Sequence, residues 1–314
     1  MSQKVTEKTT TMLRRQLAEK GIIVEASCYN PLTAKLAERL GFRQVWVAGW
    51  GIGAQFCYTE PLTTMTEYVY FAKMITDAIH VPLVVDASTG FGDPIYIQRA
   101  VREFEKAGVA GITLEDQLYP KRVQYHARPQ VKYVIPAEEM VVKLKAALRA
   151  RTDNDFMIVA RSDADGAVGG SPEEMIRRLQ MYEEAGVDML RAGVSAAGAH
   201  SGIETLKKIR AATHLPLEAT LSKDIRPGVR GAITPKVLEE LGYKVARTTM
   251  MSIVVEYLAA KEFFLNVLND RPLGITEEAF NRTTGEILET IGMPALIEEE
   301  MKTTKPPYTG RIPY

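Results

Sequence analysis

Four times along this chain a helical pattern stops at a glycine just before a short apolar run: Glu38-Arg-Leu-Gly-Phe42, Lys106-Ala-Gly-Val109, Glu184-Ala-Gly-Val187 and Glu240-Leu-Gly-Tyr243. Glycine suits the left-handed position that ends a helix, because it has no Cβ to clash there. A second echo, His80-Val-Pro-Leu-Val84 and His214-Leu-Pro-Leu-Glu218, opens two of the apolar runs. Repeated helix-to-strand junctions imply parallel strands joined by helical crossovers. Candidate strands are Ile22–Ala26, Gln44–Ala48, Leu83–Asp86, Gly111–Glu115, Met157–Arg161, Met189–Arg191, Leu217–Thr220 and Lys244–Thr248. Between them, Leu32–Leu40, Thr66–Ile79, Tyr96–Lys106, Ala137–Ala150, Glu173–Glu184 and Thr205–Ala211 repeat apolar residues at the helical spacings of three and four. Eight such modules predict an α/β fold, a closed (β/α)₈ TIM barrel, with an open doubly wound sheet as the rival. A length of 314 residues suits one barrel domain over 1–314. Residues 1–20 then form an N-terminal helix and 270–314 a C-terminal helical segment. That segment carries a helical pattern over Glu277–Glu300 and a Pro/Tyr-rich end, Lys305–Tyr314. Its apolar Leu288, Ile291, Leu296 and Ile297 need a partner, either the chain's own barrel or a neighbouring subunit.

Charge narrows the function. The 39 basic and 39 acidic residues cancel, so no net field steers the chain to nucleic acid or to an anionic membrane. The N-terminus lacks the apolar core of a signal peptide, and the apolar runs are too short to span a bilayer. Two cysteines, Cys28 and Cys57, show no metal-site spacing and fit a reducing compartment. A cytoplasmic enzyme acting on a small molecule is the expectation.

In a barrel of this kind, chemistry sits at the C-terminal ends of the strands. Val84-Val-Asp-Ala-Ser-Thr-Gly-Phe-Gly92 ends an apolar strand in Asp86. Gly111-Ile-Thr-Leu-Glu-Asp-Gln117 ends the next strand in Glu115 and Asp116. Two carboxylates on adjacent rims suit Mg²⁺ (or Mn²⁺), which takes one or two carboxylates and completes its shell with water and substrate oxygens. For Asp86 alone, a turn or cap role is the plainer alternative. The loop Tyr119-Pro-Lys-Arg-Val-Gln-Tyr-His126 puts Lys121 over the same rim, where it can neutralise an anion or can be merely solvated. Arg161, ending Ile158-Val-Ala-Arg161, suits a forked contact to a carboxylate or phosphate, or a structural ion pair with Asp163 or Glu115. The glycines of Ala48-Gly-Trp-Gly-Ile-Gly-Ala54 match a dinucleotide turn only formally, because no acid ends a strand about twenty residues on. A tight loop whose backbone approaches substrate at Gly49, Trp50 and Gly51 is expected instead. His80 and His214 precede strands and are structural; only His126 falls in a candidate lid.

Taken together, Tyr29-Asn-Pro-Leu-Thr-Ala-Lys35, Val85–Gly92, Ala107–Gln117, Pro120-Lys-Arg122, Glu138–Lys143 and Asp155–Ala164 resemble the isocitrate lyase/phosphoenolpyruvate mutase superfamily, over roughly residues 20–265. The resemblance implies a barrel that binds Mg²⁺ or Mn²⁺ and breaks or forms C–C or P–C bonds beside a 2-oxo carboxylate, with an enolate developing. It also implies tetramers (dimers of dimers) whose terminal helices are exchanged between subunits. Metal ligands would be Asp86 and Glu115. Substrate would meet Gly49, Trp50, Gly51, Asp86, Arg161, Arg191 and Lys223. Lys121, Arg161, Tyr125 and His126 would carry catalysis. The chain departs from the pattern at six places. Ser88 stands for a second acid, Ala48 for a substrate-holding serine, and Val123-Gln-Tyr125 for the Cys-Gly-His of the lyases. Gly193, Thr220 and Lys223 replace the usual residues of strands six and seven. Valine cannot move a proton, so Tyr125 or His126 substitutes for the cysteine, or none is needed, as in decarboxylation. A basic pocket of Arg191, Lys223 and Arg247 would suit a different anionic substrate. The expected activity is cleavage of a small 2-hydroxy or 2-oxo di- or tricarboxylate. The alternatives are a phosphonate mutase or hydrolase, whose loop asparagine is not found here, and a non-catalytic oxo-acid-binding relative.

Overall fold

The computed structural model describes residues 7–126, 130–192, 202–222, 231–248 and 250–304. Eight parallel strands close into a barrel in chain order: β1 (Ile23–Ser27), β2 (Gln44–Val47), β3 (Leu83–Asp86), β4 (Gly111–Glu115), β5 (Met157–Ser162), β6 (Met189–Ala192), β7 (Leu217–Thr220) and β8 (Val245–Arg247). The closing seam pairs β1 with β8, with Glu25 opposite Arg247. The sequence placed all eight strands to within two residues at each end, and the rival open sheet is excluded.

The helices follow from local signals. They are α1 (Thr9–Ala18), α2 (Pro31–Arg39), α3 (Gly49–Gln55), α4 (Met65–Thr76), α5 (Pro94–Lys106), α6 (Ala137–Ala150), α7 (Pro172–Glu184), α8 (Ile203–Ala212), α9 (Pro235–Glu240), α10 (Met251–Leu268), α11 (Glu277–Thr290) and α12 (Met293–Thr303). Asn30, Thr64, Ser171, Thr234 and Thr276 cap helix starts by accepting from a backbone N–H three residues on. Thr64 and Glu67 complete a capping box. At the stops, Gly41, Gly108, Gly186 and Gly242 have φ of +96°, +78°, +91° and +78°, the left-handed region read from the sequence. The His80 and His214 echo has a physical basis. Each backbone N–H donates to a glutamate at a preceding helix end, Glu38 at 2.5 Å and Glu183 at 2.9 Å. The same rim is stitched twice.

The core lies between the strands and the inward helix faces, including Ile97, Val101 and Phe104 of α5 and Met140 and Leu144 of α6. The chain divides into two compact units, Met1–Val255 and Glu256–Tyr314. In the second, the helical pattern over 277–300 is two helices rather than one. Gly292, at φ +78°, breaks it, and Pro294 follows inside the first turn of α12. Among the described residues, no helix is long and apolar enough to cross a membrane.

Candidate active site

Strand alternation decides which ends face the barrel axis. Asp86 and Glu115, on adjacent strands, are both buried and meet at one atom: Arg161 Nη1 lies 3.1 Å from Asp86 Oδ2 and 3.1 Å from Glu115 Oε2. The other arm of Arg161, Nη2, lies 2.8 Å from Asp163 Oδ2. Asp116 faces the other way. It accepts from Ser162 Oγ, Tyr182 Oη and the Asp163 backbone N–H and pairs with Arg178, which makes it a structural anchor.

Lys121 reaches in from the loop after β4. Its Nζ is 2.7 Å from Glu115 Oε1 and 2.5 Å from Glu60 Oε1, and it sits 4.0 Å from the centre of the Tyr125 ring. It is 6% exposed, so the solvated-lysine alternative fails. The structure thus brings Asp86, Glu115, Lys121 and Arg161 into one cluster. Arg161 makes the structural ion pairs considered above and also reaches Asp86.

The electrostatics follow from burial and partners. Burial pushes the Glu115 carboxyl up to about 7, against the pull of Lys121 and Arg161. Burial acts the same way on Asp86, but Arg161, Arg191 and Lys121 outweigh it and hold the carboxyl below its ordinary value. Burial works against the Lys121 ammonium, yet Glu115 and Glu60 raise its pKa well above the usual lysine range.

Several residues escaped the sequence reading. Glu60 lies between α3 and α4 in a single 3₁₀ turn and gave no strand-end signal. Trp46 and Tyr29, both buried, flank the site: the guanidinium carbons of Arg247 and Arg191 lie 3.6 Å and 5.1 Å from the Trp46 ring centre, and Tyr29 packs on Gly51. Glu25 and Glu218 were visible as charges inside apolar strands.

Two expectations need correction. Gly49, Trp50 and Gly51 do not form a tight loop; they open the short helix α3. A Cβ at Gly49 would overlap the Tyr68 hydroxyl, and one at Gly51 the Tyr29 ring. Close packing of two tyrosines accounts for these glycines. Arg247, for its part, is not a free positive charge in a basic pocket. It is fully buried and paired with Glu25 and Glu218 at 2.7 and 2.5 Å. Arg191 is buried within 3.6 Å of Asp86. Lys223, Gly193 and the His126 side chain lie outside the described residues. Thr220 ends β7 opposite Arg247, and Val123 is exposed.

The family model for phosphoenolpyruvate phosphomutase matches residues 13–268. A 2,3-dimethylmalate lyase of Eubacterium barkeri is 36% identical over 264 residues, covering 83% of this chain and 87% of that protein. A 2-methylisocitrate lyase of Aeropyrum pernix is 36% identical over 240 residues, 76% of this chain and 73% of that one. A solved phosphonopyruvate hydrolase, in complex with oxalate and Mg²⁺, superposes with a TM-score of 0.79 at 25% identity, covering 95% of this chain and 100% of that one.

Proposed function

The chain belongs to the phosphoenolpyruvate phosphomutase family, within the isocitrate lyase/phosphoenolpyruvate mutase superfamily, and from that premise we propose that it is a metal-dependent carbon–carbon lyase. Its substrate would be a small 2-hydroxy or 2-oxo di- or tricarboxylate, cleaved or decarboxylated through an enolate. The observation that carries this reading is the meeting of Asp86, Glu115 and Lys121 around Arg161 at the ends of adjacent strands.

The donor set fits Mg²⁺ or Mn²⁺. Asp86 and Glu115 are hard oxygen donors converging on one point, and a cation of this kind needs few protein ligands. Among the described residues, no group of three acids, histidines or cysteines could hold a metal by itself, so water and substrate oxygens would have to complete the shell. When bound, the cation supplies positive charge beside the developing enolate oxygen. Arg161 binds the substrate carboxylate through its fork, released in part from the three acids it meets, Asp86, Glu115 and Asp163. Lys121, fixed by Glu60 and Glu115, places an ammonium beside the negative charge that forms. Gly49, Trp50 and Gly51 put the start of α3 against the substrate, where the first backbone N–H groups of a helix have no partner within it. With Val123 in the loop, the proton is handled at Tyr125 Oη, whose ring lies against Lys121, or by His126. Arg191 and Lys223 are the further residues we assign to binding the substrate anion.

We place the protein in the cytoplasm as a homotetramer, a dimer of dimers, in which helices of 270–314 are exchanged between subunits. Supporting this, Phe280, Ile287, Leu288, Ile291, Leu296 and Ile297 are exposed apolar residues of the kind a partner covers. Light scattering of the full chain checks it, and a monomer would refute it.

Calorimetry with Mg²⁺ and oxalate, followed by a panel of oxaloacetate, substituted malates and methylisocitrate with release of pyruvate or glyoxylate as readout, tests the activity. A wild type that binds no oxalate with Mg²⁺, or an Asp86→Ala/Glu115→Ala variant that binds it unchanged, would refute the site. Phosphate release from phosphonopyruvate, with no turnover on the panel, would favour the phosphonate alternative. A chain inert on every substrate that still binds oxalate would be a non-catalytic relative.

A further inference from the structure

Below the rim, the barrel interior carries charges that the proposed chemistry does not use. Glu25 of β1 and Glu218 of β7 are 0% exposed, each beside apolar strand neighbours. Arg247 of β8 joins them through Nε to Glu25 and Nη2 to Glu218. Gln44 Nε2 donates to the other oxygen of Glu25 at 2.6 Å. From Glu218 the alternation continues: Oε1 is 3.3 Å from Arg191 Nε, and Arg191 Nη1 is 3.6 Å from Asp86 Oδ2. A continuous series, Glu25–Arg247–Glu218–Arg191–Asp86, therefore runs from the β1–β8 seam to the candidate active site.

Stability does not explain this series. Replacing a buried ion network by well-packed apolar side chains is commonly neutral or stabilising, because taking charges out of water is costly. What the network holds in place is Arg191. That residue is 8% exposed, yet its Nε and Nη1 make no hydrogen bond of sound geometry. A buried guanidinium flanked by two acids, yet with donors that complete no hydrogen bond, can still take an anionic acceptor at the carboxylate-binding site. The face of Trp46 fixes its plane loosely, and Glu218 is the acid that turns it.

We propose that Glu218 is a positioning residue: backed by Arg247 and Glu25, it holds Arg191 so that the unused N–H groups meet a second anionic group of the substrate, on the β6–β8 side of the barrel. This rests on the reading of Asp86 and Arg161 as the oxo-acid end. The substrate then carries two anionic groups, one at Arg161 and one at Arg191.

Two simple anions separate the two ends. The wild type is saturated with Mg²⁺ and oxalate, and succinate is titrated on top by calorimetry. The wild type should bind succinate in the presence of oxalate. Glu218→Gln should weaken succinate by about tenfold, the worth of a charge-assisted contact, while oxalate changes by less than about threefold. Because Glu218→Gln also leaves part of Arg247 unmatched, a second variant, Glu25→Leu/Glu218→Leu/Arg247→Leu, replaces the whole charged layer with apolar volume. Its folding is checked by melting, and it should lose succinate to the same degree. Wild-type succinate affinity in both variants would assign the network to structure alone and overturn the proposal. So would a wild type that binds oxalate but no succinate beside it, or an equal loss of both anions in the two variants. Failure of the wild type to bind oxalate is a different result, because it removes the oxo-acid site itself.

Discussion

Arg247→Met is the sharpest perturbation of the buried charge layer. Glu25 and Glu218 are fully buried, and Arg247 is the cation both share. Removing one partner of a buried pair costs about 3–5 kcal/mol, since an uncompensated charge is left behind. In a domain of this size, 1 kcal/mol moves the melting temperature by roughly 2–4 °C, so the expected drop near pH 8 is about 6–20 °C. The size should depend on pH. Burial pushes the Glu25 carboxyl from 4.5 up to about 7, with Arg247 opposing. Between those values the folded state keeps a proton that the unfolded state has lost. The stability contribution of Glu25 is therefore whole below about 4.5 and is lost as pH rises through 7, by on the order of 3 kcal/mol. Without Arg247 the folded pKa climbs further, so the variant goes on losing stability at pH values where the wild type has levelled off. Thermal melts at pH 5.5 and 8.5, followed by circular dichroism, should show a wider gap between wild type and variant at 8.5. An equal or narrower gap there, or a variant as stable as wild type at both values, would refute the reasoning.

Other expectations are more direct. Arg161→Ala, which strips one guanidinium from Asp86, Glu115 and Asp163, should abolish oxalate binding in the presence of Mg²⁺ and cut kcat/KM by about 10³-fold or more, whereas Val123→Ala should retain activity; turnover assays on whichever substrate the panel identifies decide both. If Tyr125 Oη moves the proton, Tyr125→Phe should lower kcat by roughly 10²-fold with little change in KM, and an unchanged kcat would leave that role to His126. Gly51→Ala should destabilise the barrel by about 1–3 kcal/mol through overpacking against Tyr29, visible as a lower melting temperature; a wild-type melt would show that the ring yields freely.

The fold was legible because its signals are local and periodic. Glycine stops, capping residues and apolar strand runs each act within a few residues, and eight repetitions leave little choice of topology. The candidate site was legible where a residue ends a strand: Asp86, Glu115 and Arg161 are visible by position alone. Glu60 was missed because its role depends on a loop that folds back onto Lys121, 61 residues away, and no local pattern encodes such a meeting. Gly49 and Gly51 stand out in the sequence, but the helix they open and the rings they pack on do not. Their constraint comes from Tyr68 and Tyr29, distant ring positions that a linear pattern cannot show. Arg247 was seen as a charge, but its matching acids sit on β1 and β7, so its sign alone suggested an open basic pocket.

The Glu25–Arg247 pair also has a meaning for assembly. These two residues are opposite one another in the register of the seam that closes the barrel, and their side chains bond 222 positions apart in sequence. In an apolar barrel, a final strand can dock one step out of place and still bury grease against grease. Here a one-residue slip of β8 would turn its guanidinium outward and strand two acids inside, because successive side chains face opposite sides. The charged layer therefore acts as a keyed latch: the ring can close only when its first and last strands meet in the correct frame.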